Sequence, residues 1–382
     1  MKTWIAGGLV YSGRRMVEKD LCIEDGKIAA VCDPAGRSGA DVYRADGKYV
    51  VPGFIDIHTH GGNGVDVNAA GKDDFQKIGH FFATQGTTSW LCSILTDTEE
   101  QTRKVIRSAV AHQKDHEDCA ELLGIHLEGP FLSSEYRGAM PEYLLRKPDL
   151  ELLKKYQDIA EGNIRYITVS PEVEGIPDAI PEFRKMGIVV AIGHSGADYE
   201  TSWKCIRSGA AASTHTCNAM KLLHQHRPAI MGAVLESDIY CEVICDGRHL
   251  HPGTVRFILK IKGYDRVVAI TDSIMAAGLP DGAYRLGVND VVVEGGDARL
   301  KSDGTRAGST LTTAAALRNL MKFTGKPIED ILPLLTENPA RLLGVYNRIG
   351  SLEAGKEADA VILNPDITVC DTFVRGKRIK RE

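Results

Sequence analysis

The sequence predicts an α/β protein, a (β/α)8 TIM-like barrel with a small β-sandwich domain formed by both ends of the chain. Three observations support this fold class. Short strand-like runs, separated by Asp-Gly turn pairs, fill the region before residue 52. From there onward, apolar runs alternate with helical stretches, as in a parallel sheet wrapped by helices. Short strand-like runs return after residue 346, so the two chain ends share one character.

The barrel prediction rests on eight apolar runs, each separated from the next by a stretch long enough for a helix. The runs cover residues 53–58, 87–93, 123–127, 164–169, 188–192, 211–214, 240–244 and 267–270. In a (β/α)8 barrel, catalytic groups lie at the C-terminal ends of the strands. Polar residues that directly follow these runs are therefore the candidates for function.

The flanking segments predict a second, smaller domain. Candidate strands cover residues 4–9, 21–24, 27–31 and 42–50 near the N-terminus, and 360–363, 369–374 and 377–380 near the C-terminus. Neither set of strands could bury a core alone, so we expect the two sets to pair. This divides the chain into sandwich segments 1–51 and 346–382 and a barrel segment 52–345.

Composition excludes several classes of partner. A net charge of −5 and a pI near 6.2 give no electrostatic footprint for nucleic acid or an anionic membrane. No run approaches the ~20 apolar residues of a membrane span, and no signal-peptide pattern opens the sequence. The nine cysteines form no CxxC pair, and Cys241 and Cys245 read as buried free thiols. The predicted location is therefore the reducing cytoplasm.

The strongest functional signal is a pair of histidines, His58 and His60, at the end of the first candidate barrel strand. Alternate residues of a strand share a face, so both side chains can point at one ion. A His-x-His pair can also be purely structural. Its position at a barrel strand end favours a metal site.

A second signal, at the end of the third candidate strand, is Glu128. A carboxylate that follows an apolar run is costly to bury alone, so a cation partner is expected. His126 shares its face. Its ring is either a further ligand or, more commonly, a supporting or core residue.

Single polar residues follow three later strands: His194, His215 and Asp272. A lone histidine in such a place is usually a satisfied polar residue, but two of them on successive strands favour ligands. Asp272 is placed to take a proton from an activated water and return it to a leaving amine, with a helix N-cap as the alternative. Nitrogen and oxygen donors without thiolates suit one or two divalent ions of zinc, iron or manganese.

These motifs, taken together, resemble the N-acetylglucosamine-6-phosphate deacetylase family of the amidohydrolase superfamily. The resemblance covers nearly the whole chain. The segments that carry it are 51–62, 127–131, 193–195, 215–220, 246–249, 271–280, 307–311 and 350–356. Each segment alone is moderately specific, and the combination is highly specific.

The resemblance implies a principal metal ion and, in members with the histidine pair, an additional metal position. The implied ligands are Glu128, His194 and His215 for the principal ion, and His58 and His60 for the additional one. Asp272 matches the acid–base residue of the family. Members are usually homodimers in which the neighbouring subunit completes part of the phosphate site.

The resemblance also implies a small-molecule partner, an amino sugar phosphate, and a set of residues that contact it. These are Ala139, Met140, Asn218, Ala219, His226, Arg227, His249, Arg306, Ala307 and Gly308. Asn218 and Ala219 match positions that offer groups to the sugar phosphate. The loop around Ala307 matches one that closes on the sugar.

Three of these positions depart from the family pattern. Met140 stands where a histidine, sometimes a glutamine, normally helps to polarise the carbonyl, and a thioether donates no hydrogen bond. The slot of the phosphate-binding arginine holds His226, and a shift of one residue would place Arg227 there. Arg306 replaces a usual leucine.

The expected activity is hydrolysis of the acetamide of an N-acetyl hexosamine 6-phosphate, most simply N-acetylglucosamine 6-phosphate, to acetate and the amino sugar phosphate. The departures leave open a different N-acetyl hexosamine or an unphosphorylated N-acyl amine. A cyclic-amide hydrolase is a rival, although such enzymes bridge their metals with a carboxylated lysine. An inactive scaffold relative is a second rival, although such proteins typically lose metal ligands.

Overall fold

The computed structural model describes residues 2–33, 41–115 and 118–380. Within this part of the chain, seven strands precede the barrel and contribute to two sheets. They are β1 (Lys2–Ala6), β2 (Leu9–Ser12), β3 (Arg15–Glu18), β4 (Asp20–Glu24), β5 (Lys27–Cys32), β6 (Asp41–Arg44) and β7 (Tyr49–Pro52). Of these, β3 was not predicted.

The barrel follows directly, with helices between its strands. Its elements are β8 (Phe54–Thr59), β9 (Gly61–Gly62), β10 (Val65–Asp66), α1 (Lys72–Thr84), β11 (Thr87–Leu95), α2 (Glu99–Lys114), β12 (Glu121–Glu128), α3 (Leu150–Ile159), β13 (Ile164–Val169), α4 (Ile176–Lys185), β14 (Val189–Ile192), α5 (Tyr199–Ser208), β15 (Ala212–Ser213), α6 (Ala229–Glu236), β16 (Tyr240–Ile244), α7 (Pro252–Lys262) and β17 (Val267–Ile270). The short strands β9 and β10 form a hairpin of their own.

Eight parallel strands form the barrel sheet, in the order β8-β11-β12-β13-β14-β15-β16-β17. They correspond one for one to the eight predicted strands, and the predicted fold class is confirmed. Two backbone hydrogen bonds join the C-terminal end of the first strand to the residues that follow the last strand. The Asp272 N–H donates to the His58 carbonyl at 2.9 Å, and the His60 N–H donates to the Ser273 carbonyl at 2.8 Å.

The remaining elements follow the last barrel strand. They are β18 (Gly282–Leu286), β19 (Asn289–Glu294), β20 (Asp297–Leu300), α8 (Thr313–Thr324), α9 (Ile328–Ile331), α10 (Glu337–Leu342), β21 (Ala360–Leu363), β22 (Val369–Val374) and β23 (Lys377–Arg378), with 3-10 helices at Val67–Ala69, Glu142–Leu144 and Leu332–Leu335. Strands β18, β19 and β20 form an antiparallel sheet that was not predicted.

Strands from both chain ends form the sandwich. One sheet has the order β5-β4-β1-β6, and the other has the order β23-β22-β21-β7-β2-β3. The link between the ends is the antiparallel pair β7–β21, in which Val50 lies opposite Ile362. Both of these residues belong to an apolar core separate from that of the barrel. The domain boundaries 1–51, 52–345 and 346–382 stay a prediction.

Two predicted strands of the sandwich are wrong in extent. The run at 4–9 breaks after Ala6, because the chain turns at Gly7 with φ +79° and enters the other sheet at Leu9. A side chain at Gly7 would collide with the Asp46 carboxylate. The run at 42–50 breaks in the same way, since a turn at 45–48 sends β6 and β7 into different sheets. Alternating apolar residues on both sides of each turn concealed these breaks.

The cysteine prediction is confirmed for Cys241 and Cys245, which are buried and free. Across the described ranges, no helix has both the length and the apolar character that crossing a membrane requires.

Candidate active site

Six polar side chains meet at the C-terminal end of the barrel. They are His58, His60, Glu128, His194, His215 and Asp272, and all six are buried. Each lies within two residues of the end of its strand, on β8, β12, β14, β15 or β17. Because parallel strands end at one rim, this spacing brings side chains from distant parts of the sequence together.

The backbone is strained at three of these positions. His194, His215 and Asp272 have φ values of +46°, +27° and +50°, in a region that residues with a side chain rarely adopt. Such conformations cost on the order of 1–3 kcal/mol each and persist only where the surroundings enforce them. The strain therefore marks these strand ends as sites where orientation of the side chain matters more than local stability.

Glu128, His194 and His215 form the first of two compact groups, here called the Glu128 group. The Glu128 Oε1 atom lies 3.1 Å from the Nε2 atoms of both histidines. Those two Nε2 atoms lie 3.0 Å from each other.

His58, His60 and Asp272 form the second group, here called the Asp272 group. The two Nε2 atoms lie 3.2 Å apart, and Asp272 Oδ1 lies 3.1 Å from the Nε2 atom of His60. Glu128 also reaches this group, because its Oε2 atom lies 3.3 Å from His60 Nε2 and its Oε1 atom lies 3.4 Å from His58 Nε2. One carboxylate therefore stands between the two groups.

The hydrogen bonds that His60 and His194 make on the side away from the two groups determine which ring nitrogen faces each group. His60 Nδ1 lies 3.0 Å from the Ser93 carbonyl, and His194 Nδ1 lies 2.8 Å from the Tyr136 carbonyl. A carbonyl only accepts hydrogen bonds, so each Nδ1 carries a proton, and Nε2 is the atom of each ring that can offer a lone pair to a metal ion. Lone pairs that face one another at about 3 Å repel, unless a cation or a proton lies between them. The donor set thus fits a divalent metal ion.

The charge of Glu128 agrees with this arrangement. Burial raises the pKa of its carboxyl group, but the surrounding imidazoles of His58, His194 and His215 outweigh burial and hold that pKa well below its ordinary value. The carboxylate is therefore ionised at neutral pH, as a metal ligand must be.

His126 is a supporting residue, the second of the two possibilities left open by the sequence. Its Nδ1 atom lies 2.8 Å from the Ser93 hydroxyl, and its Nε2 atom lies 2.9 Å from the Thr168 hydroxyl. Burial lowers the pKa of His126 well below its ordinary value, so the ring is neutral. Its ring packs edge-on against His58 with centroids 4.6 Å apart.

Sequence reasoning missed one functional candidate, Glu242 in the middle of β16. It is fully buried, and its Oε2 atom lies 3.0 Å from His58 Nδ1. The strand was recognised from its apolar neighbours, and the glutamate within it was overlooked. A single carboxylate inside an otherwise apolar barrel strand was the signal that could have revealed it.

A cavity of ≈ 350 Å³ opens above the two groups. Its floor includes His60, Glu128, His194, His215 and Asp272, and its walls include Ala139, Met140, Asn218, Ala219, His249, Arg306, Ala307 and Gly308. The structure thus gathers most of the predicted substrate-contacting residues around one space. The Asp246 carboxylate accepts a hydrogen bond from His249 Nδ1 at 2.7 Å, which orients that ring.

His226 and Arg227 are not among the cavity-lining residues, although both were predicted to contact substrate. They lie exposed in a tight turn in which the Arg227 N–H donates to the His224 carbonyl at 2.9 Å. Their role in phosphate recognition stays a prediction.

Met140 gives the cavity an apolar wall. Its side chain is buried in a cluster with Leu95, Leu132 and Ile274. In the family that the sequence resembles, this position normally supplies a hydrogen-bond donor. Here Met140 supplies only apolar packing.

Arg306 holds the mouth of the cavity together. Its guanidinium binds both oxygens of Asp297 in β20, at 2.7 and 3.0 Å, and its Nη1 atom donates to the Arg248 carbonyl at 3.0 Å. The hydrogen bond from Arg306 lowers the pKa of Asp297 to about 2. Arg306 thereby joins the sheet β18–β20 to the loop that carries His249.

A metal-binding donor set beneath a cavity, at the C-terminal end of a (β/α)8 barrel, defines the class of metal-dependent barrel hydrolases. Comparison with known proteins agrees, because the model of the amidohydrolase family matches residues 49–379. The chain belongs to the N-acetylglucosamine-6-phosphate deacetylase family of amidohydrolases. The family resemblance seen in the sequence is confirmed.

Similar proteins cover the chain almost end to end. N-acetylglucosamine-6-phosphate deacetylase of Bacillus subtilis is 36% identical over 360 residues, which are 93% of this chain and 91% of the relative. That of Lysinibacillus sphaericus is 34% identical over 370 residues, 97% of this chain and 95% of the relative. N-acetylgalactosamine-6-phosphate deacetylase of Escherichia coli O157:H7 is 33% identical over 361 residues, with 94% of each chain covered.

Solved structures show the same fold. The crystal structure of N-acetylglucosamine-6-phosphate deacetylase from Pasteurella multocida has a TM-score of 0.95 at 29% identity and covers 100% of both chains. A Mycobacterium smegmatis deacetylase variant in complex with N-acetyl-D-glucosamine-6-phosphate has a TM-score of 0.93 at 32% identity, again with 100% of both chains covered.

Neither rival class is favoured by the site. Among the described residues that line the cavity there is no lysine, unlike the centre of a cyclic-amide hydrolase. All the ligands expected from sequence converge, whereas an inactive scaffold would have lost some of them.

Replacing Arg306 with leucine, the residue usual in the family, removes the link to the Arg248 carbonyl and loosens the cavity mouth. We expect the KM for N-acetylglucosamine 6-phosphate to rise about fivefold, the equivalent of one lost hydrogen bond of ~1 kcal/mol. The kcat should change little, because Arg306 makes no hydrogen bond or ion pair with the six residues of the two groups. Steady-state kinetics measure both constants.

Arg299→Leu is the matched control. Arg299 also binds Asp297, but its side chain is more exposed and its other hydrogen bond goes to the Gly304 carbonyl. An equal rise in KM in both variants, or none in Arg306→Leu, would contradict the role given to Arg306.

Proposed function

We propose that this protein hydrolyses the acetamide of an N-acetyl hexosamine 6-phosphate, and that N-acetylglucosamine 6-phosphate is its principal substrate. The products are acetate and the amino sugar phosphate. The observation that carries the proposal is the convergence of six metal-binding side chains at the floor of one cavity. The names and ligand of the similar proteins support the choice of substrate.

The Glu128 group would hold the principal ion, and the Asp272 group would hold an additional one. Zinc, iron and manganese all accept imidazole and carboxylate ligands of this kind. Because Glu128 lies beside both groups, its negative charge would stabilise an ion held in either of them.

When bound, a divalent ion lowers the pKa of water towards neutrality and polarises a carbonyl. Asp272 supplies the proton transfer. Burial raises the pKa of its carboxyl group, but the imidazoles of His60, His58 and His215 outweigh burial and lower it below the ordinary value. The ionised carboxylate accepts a proton from the attacking water and delivers it to the amide nitrogen as the C–N bond breaks.

Substrate recognition would fall to the cavity walls. Asn218, Ala219 and His249 would contact the sugar phosphate, together with Ala139, Met140, Arg306, Ala307 and Gly308. His226 or Arg227 would bind the phosphate from the rim. Because both are exposed, a neighbouring subunit of a homodimer could complete that part of the site. We further propose that the enzyme acts in the cytoplasm, on small molecules and not on nucleic acid or membranes.

Asp272→Asn removes the proton acceptor while keeping the size of the side chain. We expect kcat to fall by about 10²–10⁴-fold, the usual contribution of general acid–base catalysis. The ion of the Glu128 group should be retained, because Asp272 is not one of its ligands. Turnover assays and elemental analysis of the same preparation measure the two effects. Near-normal turnover in a metal-loaded variant would refute the role of Asp272.

A panel of N-acetyl sugars tests the substrate. The panel contains N-acetylglucosamine 6-phosphate, N-acetylgalactosamine 6-phosphate and both sugars without phosphate, assayed on protein of known metal content. We expect the highest kcat/KM with N-acetylglucosamine 6-phosphate. The apolar wall at Met140 and the arginine at 306 favour, as the second candidate, altered specificity within the family. A higher kcat/KM with any other member of the panel would support that candidate instead.

A further inference from the structure

Glu242 is a carboxylate buried at the centre of β16, between Cys241 and Val243. An ionised group taken out of water costs several kcal/mol unless partners replace the water. Glu242 has three such partners. Its Oε1 atom accepts a hydrogen bond from the Tyr166 hydroxyl at 2.6 Å, and its Oε2 atom lies 3.0 Å from His58 Nδ1 and 3.1 Å from the backbone nitrogen of His215.

Two of these partners belong to different metal-binding groups. His58 is a member of the Asp272 group, and His215 is a member of the Glu128 group. A single oxygen, Oε2 of Glu242, therefore contacts both groups from the side opposite the cavity.

The contact between Glu242 and His58 determines which nitrogen of the His58 ring faces the Asp272 group. An ionised carboxylate only accepts hydrogen bonds, so His58 Nδ1 carries a proton and donates it to Glu242. The Nε2 atom then directs its lone pair at the Asp272 group, where it lies 3.2 Å from His60 Nε2. Carboxylates behind metal-binding histidines fix the ring and raise its basicity in this way.

We propose that Glu242 is a positioning residue that sets the orientation and basicity of His58 and so controls metal affinity at the Asp272 group. The inference rests on the metal binding described under the proposed function. Glu242 affects the Glu128 group less, because it reaches His215 only through a backbone N–H. Glu242 is not among the residues that line the cavity.

Glu242→Gln removes the negative charge of the side chain and keeps its shape. The glutamine carbonyl can occupy the place of Oε2 and accept from both His58 and His215, while its amide donates to the Tyr166 hydroxyl. The packing and the three hydrogen bonds can therefore persist, and only the negative charge is lost. Tyr166→Phe is the matched control, because it removes the third partner and leaves the contact with His58 intact.

The experiment is a titration of chelator-stripped, full-length protein with zinc against a chromophoric chelator. His60→Ala identifies which dissociation constant belongs to the Asp272 group, since that variant lacks one of its ligands. We expect Glu242→Gln to raise this constant by about 10-fold or more, the usual effect of losing such a partner. Tyr166→Phe should leave both constants unchanged.

The outcomes are distinct. If Glu242→Gln binds zinc as tightly as the natural protein, or if only its unfolding temperature falls, the positioning role is wrong. Should that variant fail to fold, Glu242→Asp withdraws the carboxylate from His58 by one methylene group, and unchanged zinc constants there would equally overturn the inference. A natural protein that binds no zinc, iron or manganese would instead refute the proposed function.

Discussion

The site depends on one electrostatic constraint, the close approach of ring nitrogens that face one another. The Nε2 atoms of His194 and His215 lie 3.0 Å apart, and those of His58 and His60 lie 3.2 Å apart. Hydrogen bonds on the far sides of His60 and His194 leave lone pairs on the near sides. A cation relieves this repulsion, and the neighbouring carboxylates supply the opposite charge that holds it. Without a cation, protonation of the histidines is the alternative.

The architecture of the barrel holds these ring nitrogens close to one another. Its parallel strands deliver the side chains to one rim, and the hydrogen bonds beyond β8 and β17 hold His58, His60 and Asp272 against one another across the closure. The positive φ angles at His194 and His215 turn those side chains inward at a local cost. The packing of the whole barrel core offsets the free-energy cost of these positive φ angles. The geometry of the site therefore depends on the stability of the fold.

Much of the site could be predicted because its residues follow the barrel strands directly. Strand ends are visible as the limit of an apolar run, and a histidine or carboxylate placed there stands out against its neighbours. Glu242 lacked that contrast, since it lies inside a run whose average character is apolar. The sheet β18–β20 was missed because polar and charged residues interrupt its half-exposed strands, and only Val291–Val293 in β19 form a continuous apolar run.

Parts of the substrate pocket could not be predicted for a different reason. The placement of His226 and Arg227 in an exposed turn, away from the cavity walls, depends on the path of a loop that no periodic pattern describes. The engagement of Arg306 with Asp297 depends on a sheet that the sequence did not reveal. The loop residues that line the cavity were predicted from the family resemblance, whereas the exposed position of His226 and Arg227 required the structure.

Anomalous diffraction tests the central claim most directly. Crystals of the protein grown with zinc would be measured at wavelengths on both sides of the zinc absorption edge. We expect an anomalous peak about 2.0–2.1 Å from the Nε2 atoms of both His194 and His215, the normal zinc–nitrogen distance. A map without such a peak, in which these two Nε2 atoms still lie 3.0 Å apart, would contradict metal binding by the Glu128 group.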